Sequence, residues 1–207
     1  MKKLIFLAAI ENELNPLKDS LRRSDGIDGS ETEFIELGVG VINSIITLGQ
    51  QINRFSQKSR AVLVGTAGIF ADDFVPGAVY QASVFRWDSL GSALNQGYLP
   101  GLLYPDISAP TVPSSSAEPE KIPVITTPEI TSGKEGARAL QKRHGRALEN
   151  LEAYGIACLL KKHNIPLSGF FSVTNRVGKE GHQQYLDNKQ SAWENLAEVV
   201  PRWLNCR

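Results

Sequence analysis

Short apolar runs alternate along the chain with segments whose apolar residues recur at helical spacing. Residues 4–10 are apolar almost throughout and predict a buried strand. Residues 11–23 follow with Leu14, Leu17 and Leu21 on one helical face. Residues 24–31, rich in Gly, Asp and Ser, predict a turn. A short strand is expected over 34–37, ending at Gly38-Val39-Gly40, and a helix over 41–55 carrying Ile42, Ile45, Ile46, Leu48 and Ile52. Residues 61–64 predict a buried strand that stops at Gly65-Thr66-Ala67-Gly68. Further strands are expected over 78–85, 122–126 and 167–173. Helices are expected over 133–144, 149–163 and 191–204, the last with Pro201 near its end.

Strands that are apolar throughout and alternate with helices argue for an α/β domain whose sheet is covered on both faces. The segment 97–128 stands apart, with seven of the eleven prolines and the run Ser114-Ser115-Ser116. Proline fixes φ and removes a backbone donor, so this segment is expected to be neither helix nor central strand. It reads as a long surface loop serving as a lid, an interface arm or a mobile segment. The stretches on either side of it look like parts of one sheet, which makes 1–207 a single domain.

Composition narrows the function classes. Hydrophobic residues make up 42% of 207 residues, which supplies a core and excludes disorder of the whole chain. Lys+Arg and Asp+Glu are 22 each, so no charge excess suggests nucleic acid or an anionic membrane as partner. Two cysteines far apart, Cys158 and Cys206, exclude a disulfide framework and point to a reduced, cytoplasmic setting. Cys158 lies in an apolar run and is expected to pack in the core. The apolar run at 4–10 is too short to cross a bilayer. Glu11 and Glu13 stand where a signal-peptide cleavage site would be, so neither a membrane span nor a leader is expected.

In a sheet of this kind ligands lie beyond the carboxyl ends of the strands, so the residues there carry the chemistry. After the first strand comes Glu11-Asn12-Glu13, where a carboxylate is either a partner for the helix dipole or a general base at the sheet mouth. Gly65-Thr66-Ala67-Gly68 allows close backbone approach to a ligand, and it is neither a dinucleotide fingerprint nor a P-loop. Glu149-Asn150-Leu151-Glu152 opens a helix, either as simple capping or as a carboxylate placed for sugar hydroxyls. Thr174-Asn175-Arg176 ends the last strand, and an amide there is a cap or a partner for a purine edge. His144, His163 and His182 have no metal-ligand spacing and read as surface or loop residues. Trp193 and Trp203 are expected to pack under the last helix, and Trp87 beside a loop.

Taken in order, these strand ends resemble the nucleoside phosphorylase/nucleosidase superfamily along nearly the whole chain. Ala8-Ala9-Ile10-Glu11-Asn12-Glu13 is similar to the first-strand motif of methylthioadenosine/S-adenosylhomocysteine nucleosidases. Val64-Gly65-Thr66-Ala67-Gly68 followed by Val75-Pro76-Gly77-Ala78-Val79 resembles that family's glycine turn and next strand. Thr131-Ser132-Gly133 through Glu149-Asn150-Leu151-Glu152, together with Phe85, Asp88, Leu90 and Gly91, is closer to futalosine hydrolases.

The resemblance implies a single-domain, three-layer α/β/α fold with a mixed, largely parallel sheet. It implies hydrolysis of a purine nucleoside without a metal or organic cofactor, in a homodimer or higher homo-oligomer. Glu13 matches the residue that orients or deprotonates water, and Glu152 the glutamate that binds the ribose 2′- and 3′-hydroxyls. Leu151 stands for the methionine under the sugar, and Thr66, Ala67 and Gly68 match the turn beside the anomeric carbon. Asn175 stands at the purine-binding acid, Ile130 near the base-stacking aromatic, and Asn150 completes the substrate-binding set.

The departures shape the expectation. Adenine-specific nucleosidases carry aspartate where this chain has Asn175. An amide cannot protonate N7 as a carboxylic acid does, but it can donate to O6 or N7 of a 6-oxopurine. This favours a nucleoside such as futalosine, which carries hypoxanthine. Tyr154 follows where small residues are usual, and either narrows the pocket or packs. A phosphorylase must hold a phosphate dianion, normally with arginines. Only Arg86 is expected near the glycine turn, with Arg176 and Lys179 further on, so water is favoured as nucleophile. A methylthioadenosine nucleosidase, a purine nucleoside phosphorylase and a catalytically weak nucleoside-binding protein remain alternatives.

Overall fold

The first strand, β1 (Lys2–Ala8), alternates its side chains between two faces that are both buried. Leu4, Phe6 and Ala8 enter one apolar cluster, Ile5 and Leu7 another. In the computed structural model, which describes residues 2–23, 30–110 and 119–205, this strand lies inside an eight-stranded mixed sheet. The other strands are β2 (Ser30–Glu36), β3 (Ser59–Ile69), β4 (Val79–Trp87), β5 (Ile107–Ser108), β6 (Lys121–Thr126), β7 (Leu148–Glu149) and β8 (Leu167–Arg176). The order is β2-β1-β3-β7-β6-β4-β5, and β8 pairs β3 in parallel and β4 antiparallel. β3, β8, β4, β6 and β7 therefore close on themselves, so this end of the sheet is a small barrel.

Helices cover both faces. α1 (Glu11–Arg23) and α6 (Gly181–Asn205) lie over Leu4, Phe6 and Phe170 through Leu14, Leu17, Leu196 and Val200. Trp203 meets the Phe170 ring edge-on at 4.6 Å. α2 (Val41–Gln51) and α5 (Ala153–Lys162) cover the opposite face through Leu48, Ile156 and Leu160. The two helices approach closely at Gly155, where a Cβ would lie 2.5 Å from Val41 Cγ2. α3 (Leu90–Ala93) and α4 (Lys134–His144) close a third cluster around Phe70, Ile125 and Leu140. Among the described residues no helix is long and apolar enough to cross a membrane.

The bounds of α1 are those expected, whereas those of several other elements differ. β3 does not stop at Gly65. It continues to Ile69, because β8 pairs with it through Gly65, Thr66 and Gly68, and β7 pairs with Gly68. Ladder bonds on both sides outweigh the weak strand preference of glycine. Residues 149–152 are not helical. Glu149 lies in β7, and α5 begins only at Ala153. β8 likewise runs on through Asn175 to Arg176, and α6 starts ten residues earlier than expected. Residues 182–191 of that helix are largely exposed and carry no apolar stripe to announce it.

The proline-rich segment is not wholly a loop. It contains β5, which was not expected, and β6, the strand expected over 122–126, which pairs β4 on one side and β7 on the other. Pro123 is accommodated where the β4 register shifts between Ala82 and Val84, and β7 begins to pair only at Val124. A bulge is where a strand tolerates a missing donor. Residues 24–29 of the expected turn, and 111–118 with the serine run, lie outside the described residues. His144 is not a free surface residue. Its Nε2 is 2.7 Å from Asp88 Oδ2, within a cluster completed by Arg143 and Ser92. Burial pushes Asp88 up, but the hydrogen bonds from His144 and the Ser89 N–H, with the charge of Arg143, hold it below its ordinary value.

Candidate active site

The carboxyl ends of β1, β3 and β8, the turn before α5 and the first two turns of α6 surround a cavity of about 310 Å³. All nine residues expected at a site line it: Glu13, Thr66, Ala67, Gly68, Ile130, Asn150, Leu151, Glu152 and Asn175.

Glu13 lies in the first turn of α1 and is only 4% exposed. Its Oε1 accepts from Thr66 twice, from the backbone N–H at 2.9 Å and the hydroxyl at 3.0 Å. Its Oε2 is buried without a partner among the described residues. A buried acceptor left open in this way costs stability unless a bound molecule or water satisfies it. Burial pushes the Glu13 carboxyl up to about 7. The Thr66 bonds pull the other way, and the charge of Glu152 adds to the rise.

Glu152 comes just before α5 and accepts the Gly40 N–H on Oε1 at 2.7 Å. Gly40 has φ +86°, a conformation that side chains rarely adopt, so glycine is needed to present that N–H. Burial raises the Glu152 carboxyl as well. Asn150 fixes the turn. Its Oδ1 accepts from the N–H groups of Glu152 and Ala153 at 3.0 and 2.9 Å, and its Nδ2 donates to the Thr66 carbonyl at 3.3 Å. One amide therefore ties the turn that carries Glu152 to the strand that holds Glu13.

Asn175 stands in register with Gly68 of β3, which stands in register with Glu149 of β7. Thr174 Oγ1 donates to Asn175 Oδ1 at 2.8 Å, and Asn175 Nδ2 donates to the Arg176 carbonyl at 3.1 Å. One lone pair and one N–H of the amide remain for a ligand. A Cβ on residue 68 would lie 2.9 Å from Asn175 Nδ2 and 2.8 Å from Val177 Cγ2, so Gly68 leaves the room that Asn175 occupies. Leu151 and the 65% exposed Ile130 supply apolar wall.

The cavity also has residues that the sequence did not single out. Glu149 is a third buried carboxylate, accepting from Thr127 Oγ1 at 3.2 Å and from the Thr131 N–H at 3.4 Å, and burial raises it. It was legible only as part of a helix opening. His182 and Tyr185 come from the part of α6 that the pattern did not announce. Tyr154 does not narrow the cavity. It packs in the core beside Trp87, and its hydroxyl donates to the Pro105 carbonyl at 3.1 Å.

None of the three cations weighed for phosphate reaches this cavity. Arg86 pairs with Asp106 at 2.9 Å, while Arg176 and Lys179 face another space. Among the described residues no lysine or arginine lines it, and three carboxylates do. Such a lining repels a dianion and suits a neutral ligand with hydroxyl groups and one flat, hydrogen-bonding end.

No protein-family model matches the chain, and no curated protein matches it in sequence. Solved structures do match, over the full length. The 5'-methylthioadenosine/S-adenosylhomocysteine nucleosidase of Helicobacter pylori superposes with a TM-score of 0.81 at 15% identity, covering 100% of this chain and 99% of that one. The futalosine hydrolase of the same organism gives 0.81 at 15%, covering 100% and 98%. The nucleosidase of Colwellia psychrerythraea in complex with adenine gives 0.78 at 19%, covering 98% and 94%. The chain has the nucleosidase fold. The three-layer arrangement and mixed sheet expected from the strand-end motifs are those of that fold, and the cavity lies at the carboxyl ends of its strands.

Proposed function

We propose that the chain is a purine nucleoside N-ribosylhydrolase acting on a 6-oxopurine nucleoside. The observation that carries the reading is Glu13. It is a buried carboxylate with one oxygen fixed by Thr66 and the other unpartnered among the described residues, none of which brings a lysine or arginine to the cavity lining. Glu152 would hold the ribose 2′- and 3′-hydroxyls, Leu151 and Thr66 would flank the sugar, and Asn150 would position Glu152. Water held by Glu13 would attack C1′ as the C1′–N9 bond breaks. The water proton would pass to Glu13, and the bond electrons would leave with the base. Asn175 would donate to the base as it gathers that charge, before solvent protonates it. Ala67, Gly68 and Ile130 would border the base.

The absence of a carboxylic acid at Asn175 supports a 6-oxopurine over adenine, whose departure gains more from protonation at N7. Inosine-type nucleosides are expected to be cleaved faster than 5'-methylthioadenosine, and Asn175→Asp to move the preference toward adenine. Base release measured by chromatography on both proteins checks this. Faster cleavage of methylthioadenosine by the parent would give the adenine-specific reading instead.

A homodimer belongs to the proposal. Ile42 and Ile46 on α2 are 71% and 56% exposed beside Val39 at the cavity rim, and a second copy would cover them. Sedimentation is expected to give a dimer, and Ile42→Glu with Ile46→Glu a monomer. A parent that sediments as a monomer contradicts this part.

A further inference from the structure

A second cavity, also of about 310 Å³, lies on the other side of the β3 and β8 ends and shares no lining residue with the first. The strands divide the two. Gly68 and Asn175 line the candidate active site, whereas Ile69, Arg176 and Val177 line the second space. Its floor is apolar, built from Ile69, Phe70 and Val177, which are all nearly fully buried. Its rim carries Lys134 and Arg138 from α4, Arg176 from the end of β8 and Lys179 from the β8–α6 connection.

We propose that this second cavity binds a small phosphate-bearing molecule with an apolar or aromatic body. Four cations face one lining carboxylate, Glu180. Asp72 pairs with Arg176 from outside the lining, which leaves an excess of two positive charges. That matches a phosphate monoester at neutral pH, which carries about −1.5 to −2. A carboxylate would leave the site under-neutralised. Two guanidiniums also offer the paired N–H geometry that phosphate oxygens accept.

The chain accepts local costs to place these charges. Lys134 is the first residue of α4, where the helix dipole favours an anion. Arg138 stands four residues on, on the same face, so two like charges are neighbours. Among the described residues Lys134, Arg138 and Lys179 make no ion pair. In a chain of zero net charge with 22 carboxylates, partners for them were available in composition. Sequences tend to break such local rules where a ligand restores the balance. The apolar floor selects against bare inorganic phosphate and for an ester.

The test is equilibrium binding on the intact protein at low salt, with phenyl phosphate and benzoate as probes that share one apolar body. Phenyl phosphate is expected to bind saturably, and benzoate at least about tenfold more weakly. Lys134→Gln with Arg138→Gln, both exposed positions outside the nucleoside cavity, is expected to weaken phenyl phosphate by about tenfold or more. Circular dichroism unchanged from the parent shows that the double variant is folded. Equal binding of the two probes, no saturable binding at millimolar concentration, or binding untouched by the double variant would each overturn the proposal. The measurement involves no turnover, so its outcome is separate from whether the protein cleaves nucleosides.

Discussion

Glu13→Gln is expected to lose turnover by about 10²–10⁴-fold while nucleoside binding changes little, because the amide keeps the shape and loses only the ability to take a proton. The pH profile sharpens this. The Glu13 carboxyl is raised from the ordinary 4.5 to about 7, chiefly by burial. A general base works in its ionised form, so activity is expected to rise with pH through about 7, and this limb should vanish in Glu13→Gln. The same shift has an opposite sign for stability. Burial favours the protonated group, so its contribution is complete below pH 4.5 and is lost as pH rises through about 7. Glu13→Gln is therefore expected to be more stable than the parent at pH 8, by about 1–3 kcal/mol. Rate profiles from pH 5 to 9 and denaturant titrations at both ends of that range read these effects. Unchanged turnover in the variant would remove Glu13 from the mechanism.

Glu152→Ala is expected to damage binding and turnover together. Charge-assisted hydrogen bonds contribute about 1.5–3 kcal/mol each, so losing two ribose contacts lowers kcat/KM by roughly 10²–10⁴-fold. The variant also leaves the Gly40 N–H without its 2.7 Å acceptor, so a stability loss of about 1–3 kcal/mol accompanies it. Substrate chemistry separates the two effects. A 2′-deoxynucleoside should be a poor substrate for the parent and should be penalised far less in Glu152→Ala. Kinetics of ribo- and deoxyribonucleoside pairs on both proteins reads this directly. Equal handling of the pair by the parent would contradict the sugar clamp.

The strands that form this site were legible where burial on both faces makes them continuous apolar runs, as in β1 and in β8 up to Val173. The helices were legible where one face is buried, and α1 shows this in Leu14, Leu17 and Leu21. The less legible elements owe their form to neighbours distant in sequence. β7 is two residues long and exists through its pairs with β3 and β6. The glycine segment of β3 is a strand because β8 and β7 flank it, although its composition suggests a turn. The strand over 122–126 was legible from its apolar residues despite Pro123, and what was not legible is the β4 bulge opposite that proline.

The site followed the same division. Glu13, Glu152 and Asn175 could be read from their places at strand ends and helix starts. Tyr185 could not, since the exposed first turns of α6 carry no apolar period. The partner of Glu13 was also hidden. Thr66 was expected beside the sugar, and the fold turns both its N–H and its hydroxyl onto the carboxylate.

The most direct test of the whole account is base release from inosine or another 6-oxopurine ribonucleoside in phosphate-free buffer, with both products identified by chromatography. The account predicts free base and free ribose in equal amounts, formed without phosphate. No release from any purine ribonucleoside, or release that requires phosphate and yields ribose 1-phosphate, would contradict it.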